Sequence, residues 1–448
     1  MDFPELQKIP LNDALSAFGK RIFLPQGIFY WAGMAKEKAS INGTIGTAKG
    51  NELLELIKDG SDKRVTFYLK NIESLISSEL DASVISGYAP IGGVPELRKK
   101  WKEWILEKTG LKGVKNIESL VTLPIVTCGL TNGLFVTLRY FINEGETVLC
   151  SNKYWGNYGT IINLNIGGKI DTFNLFKDGI FDTESMIAKV KEIGKKEKKV
   201  VLLLNFPNNP TGYVPTFDKL KEIAISLTDV ASEIKVPVIV VCDDAYEGYV
   251  YDPNAEKRSL FTFLVDKSPY LIPIKLDGAS KELLFYGGRV GFITIGLSSE
   301  WDADLEKLAK ELDNKISGGI RSTISNSSHI SQRLVLKMMD ERDDSMKNRE
   351  KVIKILEERW KVFNELSAAL NDPEKGIVFD PFQGGFFAFL NLPESLPASD
   401  FAKKLIDEQK LGVIPIQKPG VNGIRIAYCS MLKNEIKEAL EKISKMLK

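Results

Sequence analysis

Two continuous apolar runs constrain this chain more than any other feature. Val200 to Leu204 consists of Val and Leu alone, and Val238 to Cys242 repeats the pattern directly after Pro237. Runs that are apolar at every position belong to strands buried on both faces, the situation of central strands in a parallel sheet. A proline just ahead of such a run stands where a strand tolerates it. Between the two, Phe217 to Ile234 places Leu220, Ile223, Ala224 and Leu227 at helical spacing. Strand, helix and strand in that order make a βαβ unit, so the fold class is α/β with a mostly parallel sheet flanked by helices. An earlier helix is expected with Thr183 as N-cap and Gly194 as its stop, and the charge run Lys195 to Lys199 reads as a solvated loop.

The C-terminal third has a different texture. Residues 342–370 form a long amphipathic helix with Ile353, Leu356, Trp360 and Phe363 on one stripe. A final helix carries Ile436, Leu440, Ile443 and Leu447, and short strands at Gly385 to Leu390 and Gly423 to Ala427 lie between. At roughly 150 residues per domain, 448 residues suggest two or three units. The pattern divides the chain into a large domain over 76–340 and a smaller α+β domain over 341–448. The N-terminal segment 1–75 joins them, packing on the small domain or crossing to a second subunit.

Composition removes several function classes. Lys and Arg number 60 against 59 Asp and Glu, a net charge of +1, without the basic excess of a dedicated nucleic-acid binder. One histidine, His329, excludes a metal site built on several imidazoles; no metal is expected, and His329 is read as a hydrogen-bonding residue. Cys128, Cys150, Cys242 and Cys429 are scattered without a CxxC pair, which argues against zinc and disulfide scaffolds and fits a cytoplasmic setting. The start MDFPELQKIP has no basic region leading into an apolar run, so no signal peptide is expected. No apolar run approaches the ~18 residues of a membrane span. Neither a GxGxxG after a strand nor a Walker A pattern occurs, which disfavours nicotinamide and P-loop chemistry.

Three motifs fall at or just past predicted strand ends, where open α/β sheets bind ligands. Asn209-Pro210-Thr211-Gly212 follows the first apolar run. Asp243-Asp244-Ala245-Tyr246 follows the second. Ser280-Lys281 comes next, with Arg289 beyond it. Taken singly, the first is a turn, the Asp a helix cap and the Lys one cation among many. Together they supply an amide, a carboxylate, a phenol, an amine nucleophile and an arginine, the inventory for holding pyridoxal 5′-phosphate.

In these motifs the chain resembles the class I aminotransferases of the fold-type-I pyridoxal-phosphate enzymes, close to the aspartate and aromatic group, from about Asn42 to the C-terminus. The resemblance implies that Lys281 forms the Schiff base with the cofactor aldehyde and later shuttles the α-proton. It implies that Asp243 keeps the ring nitrogen protonated, that Asn209 and Tyr246 hydrogen-bond the phenolate oxygen, and that Arg289 binds the phosphate as a fork. The turn Cys128-Gly129-Leu130, opening a helix, is matched to the other half of the phosphate site. Relatives often carry hydroxyls where this chain has Cys128 and Gly278, and Ser280 is expected to compensate. Trp155 matches the aromatic stacked on the cofactor ring. Arg425 matches the arginine that grips the substrate carboxylate, and Arg321 the one given by the other subunit to a side-chain carboxylate. Tyr88 matches the tyrosine reaching the neighbour's phosphate, and Gly46 a loop glycine that closes over substrate.

The expected activity is therefore ping-pong transamination by a homodimer with shared sites. Glutamate and 2-oxoglutarate are the expected partner pair, and aspartate or an aromatic amino acid the other substrate. A lyase or decarboxylase on the same scaffold is the alternative, because the motifs build a carbanion without fixing its fate. A non-enzymatic regulator would need an added DNA-binding domain, for which there is no spare length.

Overall fold

The computed structural model describes residues 27–53, 56, 64–78 and 82–447. The N-terminal stretch read for a targeting signal lies outside them. The central sheet has seven strands: β1 (Ile125–Thr127), β2 (Thr147–Ser151), β3 (Lys169–Phe173), β4 (Val200–Asn205), β5 (Val238–Asp243), β6 (Leu271–Gly278) and β7 (Gly291–Ile295). They lie side by side in the order β1-β7-β6-β5-β4-β2-β3. β2 to β6 pair in parallel, and β7 runs antiparallel to both β6 and β1.

The two apolar runs are β4 and β5, and their alternate residues explain why every position is apolar. Val200, Leu202, Val238 and Val240 pack into one core, whereas Val201, Leu203, Ile239 and Val241 pack into another on the opposite face. The helices over these faces include α3 (Gly129–Phe141), α4 (Thr183–Glu197), α5 (Phe217–Ile234) and α6 (Leu305–Thr323); they follow α1 (Ile28–Lys38) and α2 (Pro95–Lys108) in the chain. Met186, Leu220 and Ile223 of α4 and α5 close one core, and Leu134 and Ile316 of α3 and α6 the other.

One helix differs from its sequence reading. The N-cap of α4 is Asp182, whose carboxylate accepts from the Ser185 amide, and Thr183 is already helical. Gly194 does not stop the helix, which runs to Glu197 and ends at Lys198 in the left-handed region. A side chain at Gly194 would meet Ile234 Cδ1 at 2.8 Å, so the glycine serves close packing of α4 on α5. Lys195 and Lys196 accordingly belong to the last helical turn rather than to a loop.

A second, antiparallel sheet comes from the C-terminal third: β8 (Val378–Phe379), β9 (Ala388–Asn391), β10 (Ile414–Lys418) and β11 (Val421–Ile426), in the order β8-β9-β11-β10. With it go α8 (Arg342–Ser367), α9 (Ala398–Glu408) and α10 (Lys433–Leu447), while α7 (His329–Asp340), just before them, packs on α2. α1 packs on α9, and Ile41–Asn42 pairs in parallel with Leu411–Gly412. A continuous core joins Phe67, Trp101, Val335, Phe363 and Ile424 across these elements. No helix among the described residues is long and apolar enough to cross a membrane.

Candidate active site

The cleft lies at the carboxyl ends of β4, β5 and β6. Parallel register sets Asn205 beside Asp243, and Asp243 beside Leu276 two residues before Gly278. The Asn205 side chain ties the ends together: Nδ2 donates to the Asp243 carbonyl at 2.7 Å, and Oδ1 accepts from the Asn209 amide at 2.7 Å. Asn205, Asn209, Asp243, Tyr246, Ser280 and Lys281 all line one cleft holding about 720 Å³ of open space. Leu130, Trp155, Arg289, Arg425 and Gly46 complete the sequence-expected part of its wall.

Asp243 is buried, which pushes its carboxyl above the ordinary value; the Tyr158 hydroxyl, the Ala245 amide and Lys281 pull it back. Tyr158 donates to Asp243 Oδ2 at 2.5 Å, and Ala245 donates to Oδ1 at 3.2 Å. These bonds favour the carboxylate, the form that can pair with a protonated ring nitrogen. Lys281 sits in the short helix Ala279–Glu282 directly after β6, and the Tyr249 hydroxyl fixes its carbonyl at 2.6 Å. Burial lowers its ammonium below the usual lysine range; Asp243 opposes that and Arg289 adds to it. The Lys281 Nζ lies 5.1 Å from the centroid of the Tyr246 ring. Burial raises the Tyr246 phenol, and Arg425 and a hydrogen bond from Asn209 moderate the rise.

The end of the cleft at Arg289 is built by close backbone approach. Gly129, at φ +73°, opens α3, and a side chain there would fall 2.3 Å from Arg289 Nη2. Arg289 donates to Ser280 Oγ at 3.3 Å and to the Tyr286 carbonyl at 3.1 Å. Gly278 faces Gly291 across the β6–β7 ladder, and a Cβ there would meet the Val290 carbonyl at 2.6 Å and Gly291 Cα at 2.8 Å. The absence of a side chain at Gly278 thus has a steric cause, and Ser280 stands against Arg289. Cys128 caps α3 and its amide donates to Asn132 Oδ1, but Leu130 and Thr131, one turn on, form the cleft wall.

Arg425, on β11, is 3% exposed, and burial lowers its guanidinium to about 10. Nη1 donates to Asn209 Oδ1 at 3.0 Å, Nη2 donates to the Thr44 carbonyl at 2.7 Å, and Nε is buried without a hydrogen-bond partner among the described residues. The guanidinium lies 4.2 Å from the centroid of the Phe387 ring. A Cβ at Gly46 would strike that same ring at 2.4 Å, so the glycine permits the loop to lie on it.

Two expected residues stand apart from this cleft. Arg321, near the end of α6, is exposed and bonds Ser325. Tyr88 is 90% exposed. His329 bonds the Gly87 carbonyl through Nδ1 at 2.9 Å and accepts from Arg333 through Nε2, away from the cleft. Sequence reasoning missed Tyr158, Asn205, Thr131 and Phe387, and the apolar pair Ile28 and Ile45 at the cleft's edge. Thr131 and Asn205 border motifs that were read; Tyr158 lies in a short helix leading into a π-helical segment and carried no signal.

The central sheet, its one reversed strand and this cleft define a fold-type-I pyridoxal-phosphate enzyme. The aminotransferase class I and II family model matches residues 58–443, and the chain belongs to that family. An aspartate aminotransferase of Pyrococcus abyssi is 24% identical over 85% of this chain and 88% of its own length. An aromatic-amino-acid aminotransferase of Thermococcus litoralis is 25% identical over 85% of this chain and 88% of its own. Among solved structures, an aminotransferase from Anaerococcus prevotii superposes with a TM-score of 0.78 at 22% identity, covering 96% of this chain and 98% of its own. The protein is an aminotransferase, and its cofactor is pyridoxal 5′-phosphate. The residues present fit that group: a lysine amine in the cleft wall, a buried carboxylate, and an arginine backed by a glycine.

Proposed function

We propose that the chain moves an amino group between an L-amino acid, dicarboxylic or aromatic, and a 2-oxo acid such as 2-oxoglutarate, in a ping-pong cycle. The observation that carries the reading is the convergence of Lys281, Asp243 and Arg425 on one cleft from three separate parts of the chain. When bound, the cofactor supplies an aldehyde carbon and a protonated ring that accepts the electrons of a broken Cα–H bond. Arg289 and Ser280, with the amides opening α3, bind its phosphate. Asp243 keeps a proton on the ring nitrogen. Asn209 and Tyr246 hydrogen-bond the phenolate oxygen, and Trp155 covers the ring. Arg425 would bind the substrate carboxylate with its fork, and Lys281 would take the proton from the substrate Cα and deliver it to what was the aldehyde carbon.

A lowered amine value suits that role, because a neutral amine is the form that takes a proton. Ile28, Ile45 and Phe387 form an apolar edge on the cleft, which favours an aromatic side chain on the variable substrate. The outward placement of Tyr88 and Arg321 supports a homodimer in which each completes the neighbour's site. Four free cysteines support a cytoplasmic setting. We place the division between the two domains near residue 340, between α7 and α8.

The test is the visible spectrum of the cofactor-loaded protein before and after excess L-glutamate without keto acid. Bleaching of the yellow form with stoichiometric release of 2-oxoglutarate is expected. Loss of carbon dioxide or of the side chain instead would replace the transaminase reading with a lyase.

A further inference from the structure

Lys153, Tyr154 and Trp155 are consecutive, yet they face three different tasks. Trp155 lines the cleft. Lys153, buried, reaches the antiparallel sheet: Nζ donates to both Asp380 oxygens at 2.8 and 2.6 Å and to Asn391 Oδ1 at 2.8 Å. It lies 5.0 Å from the centroid of Phe389, the β9 residue in register with Arg425. Asn391 closes the group by donating to Asp380 Oδ1 at 2.9 Å. On the main-chain side, the Lys153 carbonyl accepts from Ser151 Oγ at 2.8 Å and from Nδ2 of Asn208, the neighbour of Asn209. Tyr154 makes a second crossing, with Lys418 of β10 lying 3.1 Å from its ring centroid. Tyr158 gathers both lines: it stacks on Tyr154 at 6.2 Å, meets Trp155 edge-on at 5.7 Å and bonds Asp243.

We propose that Lys153 and Asp380 form a positioning clasp that fastens the sheet carrying Arg425 to the segment carrying Trp155, so that substrate grip and cofactor-ring cover share one anchor. A buried ion pair is poor evidence of stability, since an apolar pair of similar size often serves equally well. What the ammonium provides is direction. Its three short bonds fix where residue 153 sits against β8 and β9, and with it the two residues that follow. The proposal rests on the reading of Trp155 as the residue covering the cofactor ring.

The test uses the paired replacement Lys153→Met with Asp380→Leu, which removes both charges together and leaves none buried alone. Thermal unfolding of the apo-protein is expected to stay near wild type. Titration with pyridoxal phosphate is expected to show affinity weakened by about tenfold and a loss of the quenching assigned to Trp155 by difference from Trp155→Phe. In the loaded enzyme the amino-acid KM is expected to rise more than kcat falls. Wild-type cofactor affinity and Trp155 quenching in the folded paired variant would overturn the clasp alone. Identical quenching in wild type and Trp155→Phe would overturn the clasp and the reading of Trp155 together. If the paired variant does not fold, Asp380→Asn decides on the cofactor-affinity and Trp155 readouts below its lowered unfolding temperature, with the same outcomes expected and the same ones overturning.

Discussion

The Tyr158 hydroxyl donates to Asp243 Oδ2 over 2.5 Å, and both side chains are buried. A carboxylate out of water depends on such donors to remain ionised, and this one has two. Removing one donor raises the carboxyl further and weakens its hold on a protonated ring.

Tyr158→Phe keeps the ring contacts with Tyr154 and Trp155 and removes only the donor. A hydrogen bond to a charged group is worth about 1.5–3 kcal/mol, so kcat is expected to fall roughly 10- to 100-fold with little change in fold. Steady-state kinetics with circular dichroism checks it, and wild-type turnover would mean that Tyr158 plays no part in holding Asp243 ionised.

The lowered Lys281 amine makes a signed pH prediction. Burial and the positive charge of Arg289 both disfavour its ammonium, and Asp243 favours it. Lys281 of the apo-protein should therefore react with an amine-selective reagent at lower pH than solvent lysines. Arg289→Gln should move that titration up, because a like charge is gone, and Asp243→Asn should move it down. Peptide mapping of the labelled lysine across a pH series measures all three, and shifts of opposite sign would refute the account. Lys281→Ala should abolish turnover.

Gly278→Ser would add the hydroxyl expected there from the family resemblance. Here its Cβ would meet backbone at 2.6 and 2.8 Å, which cannot give way as a flexible side chain does. Overpacking of this kind costs about 1–3 kcal/mol, so the thermal midpoint and cofactor affinity should both fall. A variant that binds cofactor more tightly would show that the ladder yields.

Arg321→Ala should raise the KM for dicarboxylic substrates far more than for aromatic ones. Phe387→Ala should do the reverse, while also loosening Arg425, whose guanidinium rests on that ring. Kinetics with one substrate of each kind separates the two, and equal effects would remove the specificity roles of both.

Much of this was legible in the chain because apolar strands and their end motifs are local signals. Val200 to Leu204 announces a buried strand, and the Asn, Asp and Lys that follow the strands must emerge on one edge of a parallel sheet. Arg425 was legible only through resemblance, since nothing local distinguishes an arginine on an inner strand of a small sheet from a solvated one. Tyr158 was not legible, because its partner is 85 residues away and the π-helical segment after it has no compositional mark. The start of α4 was read one residue late for a simple reason: Asp182 and Thr183 are both good caps, and only the backbone decides between them.

Gly291 lies close against the main chain of both Gly129 and Gly278: a Cβ on Gly291 would lie 2.7 Å from the Gly129 carbonyl carbon, and one on Gly278 would lie 2.8 Å from Gly291 Cα. A side chain on Gly278 or Gly291 would therefore press on main chain, and one on Gly129 on the Arg289 guanidinium. Whoever sets out to retarget this enzyme, by design or by selection, will find little room around these glycines and more at the side chains of Ile28 and Ile45, which also line the cleft.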